Sequence, residues 1–119
     1  MAKAESQQLD YKQQWQDSHL TTLCAFANTD GGAIHLGKDD QGELVALDSS
    51  KKLLEILPGK IIQKLCVYPR LDRQEEGNAA YVNISVEATP LPLAIYGKYY
   101  RSSGSYHQEI KGQALLNIL

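Results

Sequence analysis

Ala25-Phe26-Ala27-Asn28-Thr29-Asp30-Gly31-Gly32 is the stretch on which the reading of this chain turns. It reads as the end of an apolar helix, a sharp reversal, and the start of the strand Ala33-Ile34-His35-Leu36-Gly37. Glycine gives up the most backbone entropy on ordering, so a pair of glycines is costly inside a regular element. Gly31 and Gly32 therefore indicate positive φ, or a backbone that must approach something closely. Two readings follow. A helix C-cap leading into a strand accounts for the pattern on its own. Alternatively, such a corner leaves several N–H groups pointing one way, which suits a phosphate or another anion.

Working outward, Leu20, Leu23, Cys24 and Ala27 fall at i, i+3, i+4 and i+7 and make one apolar helical stripe. Asp17 or Ser18 supplies its N-cap. Upstream, Leu9-Asp10-Tyr11-Lys12 alternates as a short half-buried strand does. The strand at 33–37 is apolar enough to be central in a sheet. Asp39-Asp40-Gln41-Gly42 reads as a hairpin-like turn, with Glu43 to Leu47 returning as a strand. Asp48, Ser49 and Ser50 offer caps for a second helical region, whose buried face is Leu53, Leu54, Ile56, Leu57, Ile61, Ile62 and Leu65. Pro58-Gly59 predicts two helices meeting there rather than one rod. Tyr68-Pro69 closes that region.

Arg70 to Glu75 and Ala79 to Val86 read as strands joined at Gly77-Asn78. Pro90 and Pro92 mark an edge or a loop. Leu93 to Tyr96 and Lys98 to Arg101 read as strands around Gly97, and a helix is predicted from Glu109 to Leu119. The apolar ending at Ala114, Leu115, Leu116, Ile118 and Leu119 suggests the N-terminal domain of a longer protein. The expected fold is mixed α/β (α+β), with helices packed on a single mixed sheet.

A chain of 119 residues makes one domain with one core, and 43% hydrophobic with 22% charged residues is ordinary globular composition. No run is long and apolar enough for a membrane span, and no signal peptide opens the chain, so a cytoplasmic location without membrane partners is expected. Cys24 and Cys66 sit in apolar helical contexts, so both are expected as buried reduced thiols. The net charge of −2 lacks the global basic field of a strong non-specific DNA binder. Any nucleic-acid binding must use a local patch.

Three segments in order resemble the Schlafen AlbA-2 family, also labelled divergent AAA-4, to which nucleic-acid binding is ascribed. They are Glu5-Ser6-Gln7-Gln8-Leu9-Asp10-Tyr11-Lys12, the Asn28–Gly32 corner with its following strand and turn, and Gly97-Lys98-Tyr99-Tyr100-Arg101-Ser102-Ser103-Gly104-Ser105. The resemblance runs from about Glu5 to Leu116. No glycine-rich GxGxxG fingerprint and no Gly-Lys-Ser/Thr phosphate loop is present, so ATP hydrolysis by this domain is rejected despite the old label.

Two constellations carry candidate chemistry. The first is acidic. In the Schlafen group of the family, three acids from the matching segments form a ribonuclease site. Glu5 matches the first; Asp10 matches the second as Asp where Glu is usual; Asp39 fits the third, with Asp40 beside it. Such a trio would hold Mg²⁺ or Mn²⁺ against a phosphodiester. Solvated surface or turn acids are the alternative. The second is basic and aromatic: Lys12, Lys98, Tyr99, Tyr100, Arg101, Ser102 and Ser105, with Lys111 further on. Together with Asn28, Gly31 and Gly32 these are the candidate phosphate contacts, and Tyr rings could stack on unpaired bases. On a strand, one of Tyr99 and Tyr100 faces the core. His35 reads as a sheet histidine, Asp10 and Lys12 share a face, and Trp15 is expected to be buried.

The leading expectation is a nucleic-acid-binding domain, for DNA or RNA, in a bacterial transcriptional-regulator-type protein. Binding would require no cofactor, and C-terminal domains of the same polypeptide would add specificity. The rivals are a metal-dependent endoribonuclease using Glu5, Asp10 and Asp39, and a protein-interaction or homodimerisation module.

Overall fold

The computed structural model describes residues 8–47, 50–90, 92–103 and 106–113. In chain order the elements are β1 (Leu9–Lys12), α1 (His19–Ala27), β2 (Gly32–Leu36), α2 (Ser50–Leu65), β3 (Arg70–Glu76), β4 (Ala79–Val86), β5 (Ala94–Ile95), β6 (Lys98–Ser103) and β7 (Tyr106–Ile110). The class is mixed α+β, as the sequence indicates. The strands form two sheets rather than the one expected: a mixed sheet of order β1-β2-β4-β3, and an antiparallel sheet of order β5-β6-β7. Pro90 and Pro92 explain the division, since neither can donate a ladder hydrogen bond. Thr89 instead fastens the crossover to the end of α1, its N–H and Oγ1 donating to the Ala27 carbonyl at 2.9 and 3.1 Å.

β2 is internal, paired in parallel with β1 and antiparallel with β4. Alternation then sorts the side chains. Ile34, Leu36, Val82, Ile84 and Val86 join the core with α1 and α2. Tyr11, His35 and Asn83 stand in register on the opposite face. Every residue of α1 except Thr21 is buried, because the helix packs against both sheets. Ser18 is its N-cap but makes no side-chain capping bond; Asp17 instead accepts from Trp15 Nε1 and Lys60 Nζ.

Five local expectations are corrected, the first being Ile56, which is exposed on α2 rather than part of its buried face. Glu43 to Leu47 is not a strand. After a single bridge from Lys38 to Leu44, the chain leaves the ladder and Leu47 packs on the core. α2 runs unbroken through Pro58, because Leu57, Ile61 and Leu65 are buried at i, i+4 and i+8 and hold one face down on both sides of it. Cys66 is exposed, not buried; it follows α2 with φ of 57° and its N–H donates to the Ile62 carbonyl. Glu109 and Ile110 belong to β7, where Ile110 pairs with Tyr99 and is buried; helix begins only at Gly112. The predicted continuation at 114–119, and the caps Asp48 and Ser49, lie outside the described residues.

Two turns follow their sequence signals. Gly77-Asn78 joins β3 to β4 with φ of 62° at Gly77, and Tyr96-Gly97 joins β5 to β6 with positive φ at both residues.

Candidate nucleic-acid interface

The Asn28–Gly32 corner is a helix end that brings three backbones together. Thr29 and Gly31 N–H both donate to the Phe26 carbonyl, at 3.1 and 2.8 Å. Asn28 N–H donates to Cys24 and Ala33 N–H to Gln8. These four donors are therefore committed inside the protein. Gly31 has φ of +80°, and a Cβ there would lie 2.8 Å from the Val86 carbonyl oxygen. A Cβ at Gly32 would lie 2.8 Å from both the Gln8 carbonyl oxygen and Phe26 Cγ. Both glycines permit the close approach of β1 and β4 to the corner.

Asn28 is a clamp between elements. Its Nδ2 donates to the carbonyls of Leu93 and Tyr100 at 2.8 and 2.9 Å, and its Oδ1 accepts from Leu93 N–H at 2.7 Å. Thr29 Oγ1 accepts from Ser102 N–H at 2.8 Å. The two side chains thus act as a surrogate strand along the edge of β6 that β5 leaves uncovered. Beneath them Cys24 is buried, and burial raises its thiol to about 11.

Of the candidate acids, Asp10 and Asp39 each have partners of their own. Asp10 Oδ2 lies 3.4 Å from Lys12 Nζ, and both approach His19. Burial, then the Lys12 cation, lowers His19 to about 4, against the opposing pull of Asp10. Its Nδ1 accepts from Gln16 N–H, which suits the neutral ring. Asp39 is a turn residue: its Oδ1 accepts from the N–H groups of Gln41 and Glu43 at 2.9 and 3.0 Å. Glu5 lies outside the described residues, among which no three His, Cys, Asp or Glu side chains gather to hold a metal ion.

On β6, Tyr100 packs against the core and Ser102 is buried. Lys98 and Lys111 share one carboxylate, each Nζ 3.9 Å from Glu109. Arg101 is exposed, and among the described residues no carboxylate pairs with it. It lines two shallow clefts of about 220 and 320 Å³, the first closed by Asn28, Thr89 and the prolines, the second by Gln108 to Lys111. Ser105 lies outside the described residues.

One cluster was not singled out from sequence. Lys38 is buried, with Nζ 4.0 Å from the Tyr81 ring centroid, 5.6 Å from that of Tyr11 and 3.2 Å from His35 Nδ1. Burial, then the Lys38 cation, lowers His35 to about 4.

With this geometry in place, the chain can be assigned. It belongs to the Schlafen AlbA_2 family, whose description fits residues 5–114. Its fold is similar to part of the DIP2311 protein from Corynebacterium diphtheriae (TM-score 0.75, 18% identity) over 87% of this chain and 22% of that one. The chain thus spans about a fifth of that protein's length. It is also similar to the N-terminal domain of a Nitrosomonas europaea protein described as related to the ATP-dependent DNA helicase RecG. There the TM-score is 0.66 and the identity 25%, over 87% of this chain and 83% of the other. Among curated proteins, none matches significantly.

Proposed function

We propose that this domain binds nucleic acid and that the β6–β7 ribbon contacts backbone phosphates through Arg101, supported by Lys98 and Lys111. The observation that carries the reading is Arg101: an exposed guanidinium, unpaired with any carboxylate among the described residues, at the junction of two open clefts. An arginine fork suits phosphate oxygens. From residue 92 to residue 113 there are three cations and one carboxylate, within a chain of net charge −2. Basic character is thus local, which would orient a polyanion toward the ribbon and away from the acidic remainder. Membership of the family and likeness to a DNA-helicase-related domain support the same reading. Contacts of this kind need no cofactor. In a longer regulator-type polypeptide, further domains would supply sequence preference.

The test is binding of labelled duplex and single-stranded oligonucleotides across a salt series. With two or three phosphates neutralised, log K falls against log salt with a slope of roughly −2 to −3. Arg101→Ala should weaken binding and reduce the magnitude of that slope by about 1. Salt-independent binding, or an Arg101→Ala variant indistinguishable from the parent, sinks the proposal.

A further inference from the structure

Lys38 is only 6% exposed, and its surroundings are neutral: two tyrosine rings and an imidazole. Among the described residues no carboxylate lies within ion-pair distance; Asp72, beyond Asn83 in the same rung, is not paired with it. A buried ammonium without a counter-charge is held at a cost that ring faces offset in part. An apolar side chain of the same length would serve packing better. The charge therefore asks for a use.

The surroundings supply one. Both helices pack on the other face of the four-stranded sheet; on this one Tyr11 and Lys38 are buried, while His35, Tyr81, Asn83 and Ser85 stay part-exposed. The His35 and Tyr81 rings are half-buried, with centroids 4.9 Å apart. Asn83 and Ser85 stand beside them on β4 and offer hydrogen-bonding groups. One rung along, Ala33 and Ser85 line a shallow cleft of about 300 Å³ with Gln8, Asp30, Gly31 and Gly32. That volume lies at the lower end of small-ligand sites.

We infer that this face of the sheet holds one unpaired nucleotide, its base against the Tyr81 and His35 rings and its phosphate drawn to Lys38. The inference rests on the nucleic-acid reading above but uses none of the ribbon residues. The nucleotide must be unpaired, because rings on a sheet surface cannot reach the face of a base stacked inside a duplex. Stacking tolerates any base, so the site selects strand state rather than sequence.

Fluorescence anisotropy of the whole chain with three labelled probes tests it: a short oligothymidylate, a short oligouridylate and a short DNA duplex. Lys38→Met keeps the stem and removes the charge; Tyr81→Leu removes the ring. Each should weaken the single-stranded probes about tenfold while changing the duplex less than about twofold. Arg101→Ala should weaken all three. Lys38→Met should also keep or raise the thermal midpoint, because it removes an uncompensated buried charge, so a lost affinity is not a lost fold. Single-strand binding unchanged in Lys38→Met and Tyr81→Leu, with Arg101→Ala still weakened, overturns the sheet-face site and leaves the ribbon standing. A lowered midpoint with unchanged binding assigns Lys38 to structure and overturns it likewise. A parent that binds no probe overturns both readings.

Discussion

At the scale of single residues, the glycines separate into those the fold requires and those it tolerates. Gly31 has positive φ and faces the Val86 carbonyl, a backbone atom that cannot swing aside. Gly31→Ala should lower stability by about 1–3 kcal/mol, from backbone strain with a steric clash added. Gly59 is the contrast. It lies within α2 after Pro58, its φ is unexceptional, and a Cβ would meet nothing within 4 Å. Gly59→Ala should raise stability by about 0.5–1 kcal/mol through helix propensity and a less flexible unfolded chain. Urea unfolding midpoints of the two variants read both effects. A neutral Gly31→Ala would mean that the corner does not depend on the close approach of β4.

At the scale of elements, Asn28 decides whether the small sheet stays docked on α1. Asn28→Ala leaves the Leu93 and Tyr100 carbonyls and the Leu93 N–H without their partner, at a cost of roughly 2–4 kcal/mol for three bonds. Hydrogen exchange should quicken in β5 and β6 while β2 and β4 stay protected. Uniform quickening would count against a clamp. A residue that only touched phosphate would change affinity and leave exchange alone. This role was not legible in the sequence, because the amide's partners lie 65 and 72 residues away along the chain. What was legible is what local chemistry dictates: the stripe at Leu20, Leu23, Cys24 and Ala27, the Gly77-Asn78 hairpin, and Arg101 as a cation on a strand. The second sheet had a sign in the apolar Ala25 and Phe26, which lie off the stripe and need a second surface to cover them. Lys38 escaped for a geometric reason. Counting by two from Leu36 sends it to the core, but Gly37 at φ of +99° turns the chain, and the ammonium lies with Tyr11, His35 and Tyr81 on the other face.

At the scale of the whole molecule, stability should depend on pH through two histidines placed on opposite sides of the four-stranded sheet. His19 joins the helix-side layer near Asp10 and Lys12, and His35 lies beside Lys38; both are lowered to about 4 from an ordinary 6.5, chiefly by burial. The folded state thus resists a proton that the unfolded chain accepts. Stability is complete above the unfolded value of 6.5 and is lost as pH falls toward 4, where the native rings also protonate. Each histidine contributes up to roughly 3 kcal/mol across that window, less for the half-buried His35. The exposed carboxylates of Asp17 and Glu75 are also lowered, by hydrogen bonds to Lys60 and Arg73, and they act only at more acidic pH. The urea midpoint should therefore fall steeply between about pH 6.5 and 4. His19→Gln should flatten that slope by more than half, leaving the smaller His35 component. A parent curve that is level across the window would mean that neither ring is held neutral by the fold.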